Sequence, residues 1–431
     1  MKYTPISPSL FQYNRKRFVA ELSPKAIALL NANDIMPTNA DGTMSFRQNN
    51  DLFYLTGIDQ EETVLLLFPD AHNPKDREIL FVKETSELIA IWEGHKLSKK
   101  QATEHSAITE VRWLSDLEAT LRRLIPTAHV IYLNQNEHSR ASKEVETRDD
   151  RCRKSLMQQY PLHQYGRIAP IMQQLRLIKS DEEIRQMRHA CSITEKAFRR
   201  VLSFMQAGKK EYEVEAEVLH EFLINRANGP AYQSIIASGA NACVLHYIDN
   251  NQTCKDGDLV LMDFGAEYAN YASDLTRTIP ANGKFSPRQR EVYQEVLSIL
   301  KYATTLLTVG NNFKDYNASV AKEVEASLLK LNLISKEDIE NQDSDKPAYK
   351  KYFMHGISHF IGLDTHDVGS YDTDFKAGMV LTCEPGIYIR EENIGIRLEN
   401  NILITEEGPV NLMNNIPIEI EEIEGLMNSE S

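Results

Sequence analysis

The chain has 431 residues, 42% of them hydrophobic and 26% charged. These are ordinary proportions for a soluble globular protein, and the length allows two or three domains. A net charge of −14 argues against nucleic acid as a partner. No apolar run approaches the ~20 residues of a membrane span, and the start, MKYTPISPSLFQYNRKRF, lacks the apolar centre of a secretory signal. Five cysteines with no C-x-x-C pair speak against a disulfide framework or zinc knuckle and fit a reducing cytoplasm.

Residues 15–33 are charged and rich in alanine and leucine, which reads as helix. Residues 63–68, 78–82 and 129–133 are short runs of Val, Ile and Leu. They read as buried strands in an α/β layer structure. The charged stretch 139–154 reads as a surface helix or loop. A domain boundary is expected within 165–180. There Ser180 and Glu183 form a capping box, and apolar residues from Ile184 to Met205 follow at helical spacing up to Gly208. Val214, Val218 and Phe222 mark a second helix ending near Gly229. Strands are expected over 234–280. A helix starts at Ser286-Pro287, another covers 315–331, and strands return over 379–405. Helix, helix, strands thus occurs twice.

Three segments carry chemistry. In the first, Asp263 and Asp274 flank a turn. If the hairpin is symmetric about Tyr268 and Ala269, they stand directly opposite one another on one face. Opposed like charges destabilise an antiparallel pair, and a cation between them reverses the sign; two solvated surface aspartates are the other reading. The second segment holds His355, His359 and His366, three of the chain's 12 histidines, with Gly356, Gly362 and Gly369 favouring loop and strand over helix. Imidazole is both a metal ligand and a proton shuttle. The third holds Glu384 and Glu399 beside apolar runs, where they could face one another across a second ribbon. Arg397 as their partner is the alternative. Four carboxylates neutralise two divalent cations, and an oxygen-dominated set suits Mn(II), Co(II) or Fe(II) more than structural zinc. Two such ions about 3.5–4 Å apart can share a hydroxide and polarise a carbonyl.

The strings HGISHFIGLDTHDVG (355–369), EPGIY (384–388) and GIRLEN (395–400), with two aspartates 11 apart, resemble the pita-bread metallopeptidases, and within them the Xaa-Pro aminopeptidase (aminopeptidase P) family. FRQNNDLFYLTGI (46–58), IWEG (91–94) and LRLIKSDEEI (175–184) fit the same family. The resemblance implies an α/β N-terminal domain over 1–172. A catalytic α+β pita-bread domain, a curved antiparallel sheet covered by helices, would occupy 173–431. It implies two divalent metal ions per subunit, Mn2+ first among them. Asp263, Asp274, His359, Glu384 and Glu399 would be the ligands, with Asp274 and Glu399 shared. His246 would contact substrate. His355 and His366 would stabilise the tetrahedral intermediate and move protons, Tyr388 and Arg397 would support the site, and Trp92 would reach it across a subunit contact. Asn400 departs from the acidic residue expected there.

The implied reaction is hydrolysis of the bond between an N-terminal residue and a following proline. A metal-bridging hydroxide attacks the carbonyl, Glu384 carries the proton, and one metal with a histidine holds the oxyanion. Xaa-Pro dipeptidase (prolidase) shares the ligands and is the alternative; a catalytically dead binding module would have lost some of them. Peptides with proline second are the expected partners, together with further copies of the chain in a homodimer or homotetramer. Nucleic acid and membrane are not expected.

Overall fold

The computed structural model describes residues 3–142, 144–343 and 345–429. The chain divides into two compact units, one of residues 3–176 and one running on from Leu177.

The first unit is built on a six-stranded sheet. Its order is Val111–Trp113, Glu78–Val82, Val64–Leu67, Ala26–Asn31, Val130–Leu133, Gln164–Arg167. Ala26–Asn31 pairs antiparallel with Val64–Leu67 and parallel with Val130–Leu133. The expected helix over 15–33 is corrected here. The helix is Pro8–Ala20, with proline in its first turn. The chain then turns through Lys25 at φ 55° into the strand Ala26–Asn31, all six residues buried. A strand covered on both faces is a continuous apolar run, which periodicity cannot distinguish from a buried helix. Ile27, Leu29, Val64, Leu66, Ile79, Phe81 and Ile131 form the core on one face. The charged stretch ends in the helix Arg148–Gln159, which Thr147 caps; Lys143, in the same stretch, lies outside the described residues.

The second unit repeats helix, helix, strands. Asp181–Phe204 packs on Glu211–Ile224; the Ser180 amide donates to Glu183 Oε2 as the capping box requires, and the Ser180 hydroxyl donates to the same oxygen. An antiparallel sheet follows in the order Ile235–Ser238, Leu259–Phe264, Leu275–Pro280. The helices Pro287–Thr305 and Phe313–Lys330 lead to a second antiparallel sheet, Val380–Cys383 beside Asn400–Thr405 beside Gly408–Asn411. Gly386–Ile389 and Ile394–Arg397 form a separate two-stranded antiparallel ribbon. The two halves meet where Thr278 Oγ1 accepts the Arg397 amide at 3.3 Å and Thr276 O accepts the Glu399 amide at 3.0 Å. Three strand ends that carry carboxylates are thereby brought together.

Candidate metal centre and active site

Asp263 lies near the end of Leu259–Phe264, directly opposite Thr276. The expected register, Asp263 opposite Asp274, is therefore off by two. The turn residues are Ala269 and Asn270, both left-handed at φ 52° and 65°, as a two-residue hairpin that follows the strand twist requires. Centring the turn one residue later moves each partner by two. An even shift preserves the face, so both aspartates still point the same way. Gly265 permits the close crossing there, since a Cβ would fall 1.7 Å from Ser273 O. Beyond the end of the ladder, Asn401 takes the place of a strand for Asp274. Its Oδ1 accepts the Asp274 amide at 3.1 Å and its Nδ2 donates to the Asp274 carbonyl at 2.8 Å.

Glu384 follows Val380–Cys383 and Glu399 precedes Asn400–Thr405. The register pairing Cys383 with Asn400 also pairs Gly386 with Arg397, so the two glutamates face one another at the break in the ribbon. His359 Nδ1 lies 3.0 Å from Phe360 O. That contact places the proton on Nδ1 and turns the Nε2 lone pair inward. Nε2 is 3.5 Å from Asp274 Oδ2 and 3.7 Å from Glu384 Oε1. One ligand atom from each of Asp274, His359 and Glu399 lies within 4.8 Å of the others.

Burial raises the pKa of Asp263, and Asp274 beside it adds to the rise. Glu384 is pushed to about 7 by burial and by Asp274, against the pull of His359. Glu399 is driven well above the carboxylate range by burial, then by Asp274 and Glu384. Burial draws His359 down, but Asp274 and Glu384 more than offset it and its pKa rises.

The buried guanidinium that reaches a carboxylate of the cluster is Arg397. It donates from Nη2 to Asp263 Oδ2 at 2.6 Å, from Nη1 to Tyr388 OH at 2.9 Å and from Nε to Thr276 Oγ1 at 3.0 Å. Arg397 as the direct partner of Glu384 and Glu399 is thus corrected: it holds Asp263 and reaches Glu399 only through Thr276. With its lone pair taken by Arg397, the Thr276 hydroxyl donates to Glu399 Oε2 at 2.7 Å. In the same way Tyr388 must donate to His355 Nε2 at 2.8 Å, leaving the His355 proton on Nδ1 facing Gly356 O at 2.7 Å. Burial, then Arg397, pulls His355 down to about 3, so the ring is neutral.

His366 is exposed, its ring 4.3 Å from that of His359. His246 is exposed on the loop after Gly239–Cys243. Trp92 belongs to the first unit, 80% exposed on the short helix Glu87–Glu93, and is not among the side chains gathered here. Asn400 turns away from the cluster, its Oδ1 accepting from buried Arg277 at 2.8 Å. Three residues escaped the sequence reading. Thr276 was accessible to it, being two beyond Asp274 and so on the same face. Asn401, and Tyr232, whose hydroxyl lies 2.6 Å from Asp263 Oδ1 and also contacts Asp274, gave no local signal.

Two buried carboxylates, Asp274 and Glu399, and two partly buried ones, Asp263 and Glu384, against the Arg397 guanidinium and the His359 imidazole leave surplus negative charge. Divalent cations with mainly oxygen ligands fit that donor set.

Residues 185–406 match the model of metallopeptidase family M24, and residues 11–132 that of the aminopeptidase P N-terminal domain. The chain belongs to metallopeptidase family M24. It is 36% identical to the Xaa-Pro aminopeptidase of Haemophilus influenzae over 97% of both chains. It is 37% identical to that of Escherichia coli over 98% of both. Zinc-substituted E. coli aminopeptidase P in complex with product superposes with a TM-score of 0.89, at 35% identity over 98% of this chain and 99% of that one. The same protein with the inhibitor Pro-Leu gives 0.88. This M24 chain is a metallopeptidase of the Xaa-Pro aminopeptidase type, and its second unit has the pita-bread fold.

Proposed function

We propose that this M24 enzyme hydrolyses the peptide bond between an N-terminal residue and a following proline. The observation that carries the reading is the gathering of Asp274 and Glu399, both buried, around the inward lone pair of His359, in a chain similar to an Xaa-Pro aminopeptidase over 97% of its length. Asp263, Asp274, His359, Glu384 and Glu399 would hold two divalent ions, Mn2+ first among them. Bound together, such ions make water a nucleophile at neutral pH and polarise the scissile carbonyl.

The chain's own groups do the rest. Glu384 takes a proton at its carboxylate and returns it to the leaving nitrogen. That nitrogen belongs to proline, so the amide has no N–H to recognise and ring shape must serve. His246 meets the substrate. His355 and His366 steady the tetrahedral oxygen and move protons. Tyr388 and Arg397 keep His355 neutral and Asp263 aligned. Trp92, apolar and exposed, extends the site of a second copy in a homodimer or homotetramer. No helix among the described residues is long and apolar enough to cross a membrane. Five free cysteines agree with a cytoplasmic setting.

The test is product analysis on metal-stripped protein given Mn2+, with an Xaa-Pro-Yaa tripeptide beside an Xaa-Pro dipeptide. Release of the first residue from the tripeptide is expected. Cleavage of the dipeptide alone would make the enzyme a prolidase, and cleavage of neither would overturn the substrate assignment.

A further inference from the structure

Glu211 is a carboxylate buried to 0% exposure, with no cationic side chain among the described residues paired to it. A buried carboxylate of that kind needs donors, and Glu211 has them. Its Oε1 accepts from the Ser238 amide at 2.8 Å, from the Ser238 hydroxyl at 2.7 Å and from Asn241 Nδ2 at 3.5 Å. Its Oε2 accepts from the Tyr247 hydroxyl at 2.7 Å and from the Gln252 amide at 2.8 Å. The Glu211 amide in turn donates to Gln252 O at 3.0 Å. Every one of these partners belongs to one segment: Ser238 begins it, Asn241 and Tyr247 lie within it, and Gln252 ends it. The segment carries His246.

Side chains along this loop alternate. Cys243 and Tyr247 point inward with half-buried Leu245, and pack with Tyr388 in one apolar cluster. Tyr388 is the residue that hydrogen-bonds His355. Val244, His246 and Ile248 point outward, with Val244 53% and Ile248 48% exposed. Each inward residue fixes the facing of its outward neighbour, and Tyr247, adjacent to His246, is the one tied to Glu211.

We propose that Glu211 is a positioning residue for substrate binding: its carboxylate closes the 238–252 loop at both ends and in the middle, and so holds His246 toward the peptide. This rests on the reading that His246 meets an Xaa-Pro peptide. Rigidly held groups lose little entropy on binding, whereas a loosened loop misplaces its contact, and a displacement of ~1 Å can cost on the order of 100-fold.

The experiment uses the Mn2+-loaded full chain and one Xaa-Pro-Yaa tripeptide. Wild type is compared with Glu211→Gln, Tyr247→Phe, His246→Ala and the Glu211→Gln/His246→Ala pair. Glu211→Gln should raise KM about tenfold or more, with bound manganese unchanged and kcat changed far less. Tyr247→Phe, which removes one bond of the set, should move KM the same way by a smaller factor, and it decides the question if Glu211→Gln fails to fold. The double variant should be no worse than His246→Ala, because both changes remove one contact. An unchanged KM in the single variants, or multiplied defects in the pair, overturns the proposal while leaving the functional reading intact. A wild type that cleaves no Xaa-Pro peptide overturns the functional reading itself.

Discussion

In the first unit Asp76 is 1% exposed and sits between two guanidinium groups, Arg123 at 2.6 Å and Arg112 at 3.1 Å. The Arg123 hydrogen bond, with Arg112 helping, draws its pKa below the usual carboxylate value. Arg176 and Asp51, Arg15 and Glu78 are matched in the same way. In the second unit Asp263, Glu384 and Glu399 are all pushed upward by burial and by Asp274, with Arg397 pulling against the rise. A fold that matches its buried charge in one region and gathers carboxylates in excess of cations in another shows where something else is meant to bind. Burial of a single carboxyl does not carry that message. Asp149, in the first unit, is also raised to about 7, by burial first, yet it rests on the amides of Asn31 and Asn49. The mark of the site is the clustering of shifted groups rather than any one shift.

The sharpest way to break this contrast is Glu384→Gln. Steady-state kinetics should show kcat falling by about 10²- to 10⁴-fold, the range for a lost general base. Denaturant unfolding of the metal-free variant should nonetheless show higher stability than wild type, because one of the repelling carboxylates is gone. Lower stability would mean that the cluster is not repulsive.

Asp149→Asn probes the exception. The folded-state pKa near 7 lies above the ordinary value of about 3.9, so the folded chain holds this proton more tightly than the unfolded one. The stability contributed by the neutral form is complete below about pH 4 and is lost as pH rises through 7, about 4 kcal/mol in all. Unfolding free energies measured across that window should therefore fall less steeply with pH in the variant. An unchanged slope would assign the shift to another group.

Thr276→Val is the subtlest test. It removes the hydroxyl that joins Arg397 to Glu399 while keeping the shape. Titration calorimetry should show Mn2+ affinity weakened about 10- to 100-fold, the usual cost of losing a partner behind a ligand, and Thr276→Ser should restore it. Full affinity in the valine variant would mean that Glu399 is oriented by other contacts.

Much of the fold was legible residue by residue. The strands at 64–67, 78–82 and 130–133, the Ser180–Glu183 cap and the Ser286-Pro287 start depend on neighbours a few positions away, and those neighbours are in the string itself. Ala26–Asn31 was misread because being covered on both faces, a tertiary fact, erases the alternation that identifies a strand. Within the site, Glu384 and Glu399 were visible as carboxylates against apolar runs, and the histidines as a cluster. The partner of Arg397 was not visible, since Asp263 lies 134 positions away in the chain, and neither was Tyr232, 31 positions before that aspartate.

By itself the sequence determined which chemical groups exist and which face of a strand each can occupy, because side-chain alternation is a local property of the backbone. That is why Asp263 and Asp274 share a face in either of two registers that differ by an even shift. The tertiary structure alone decided that Asp263 stands opposite Thr276 and that Asn401 holds Asp274. It also decided that Arg397 reaches Glu399 through a threonine, and that Glu211 gathers the His246 loop. Register follows from two left-handed turn residues, and charge repulsion follows from distances between strands. The turn acts within one hairpin, whereas those distances are set only when segments remote in the chain are packed side by side.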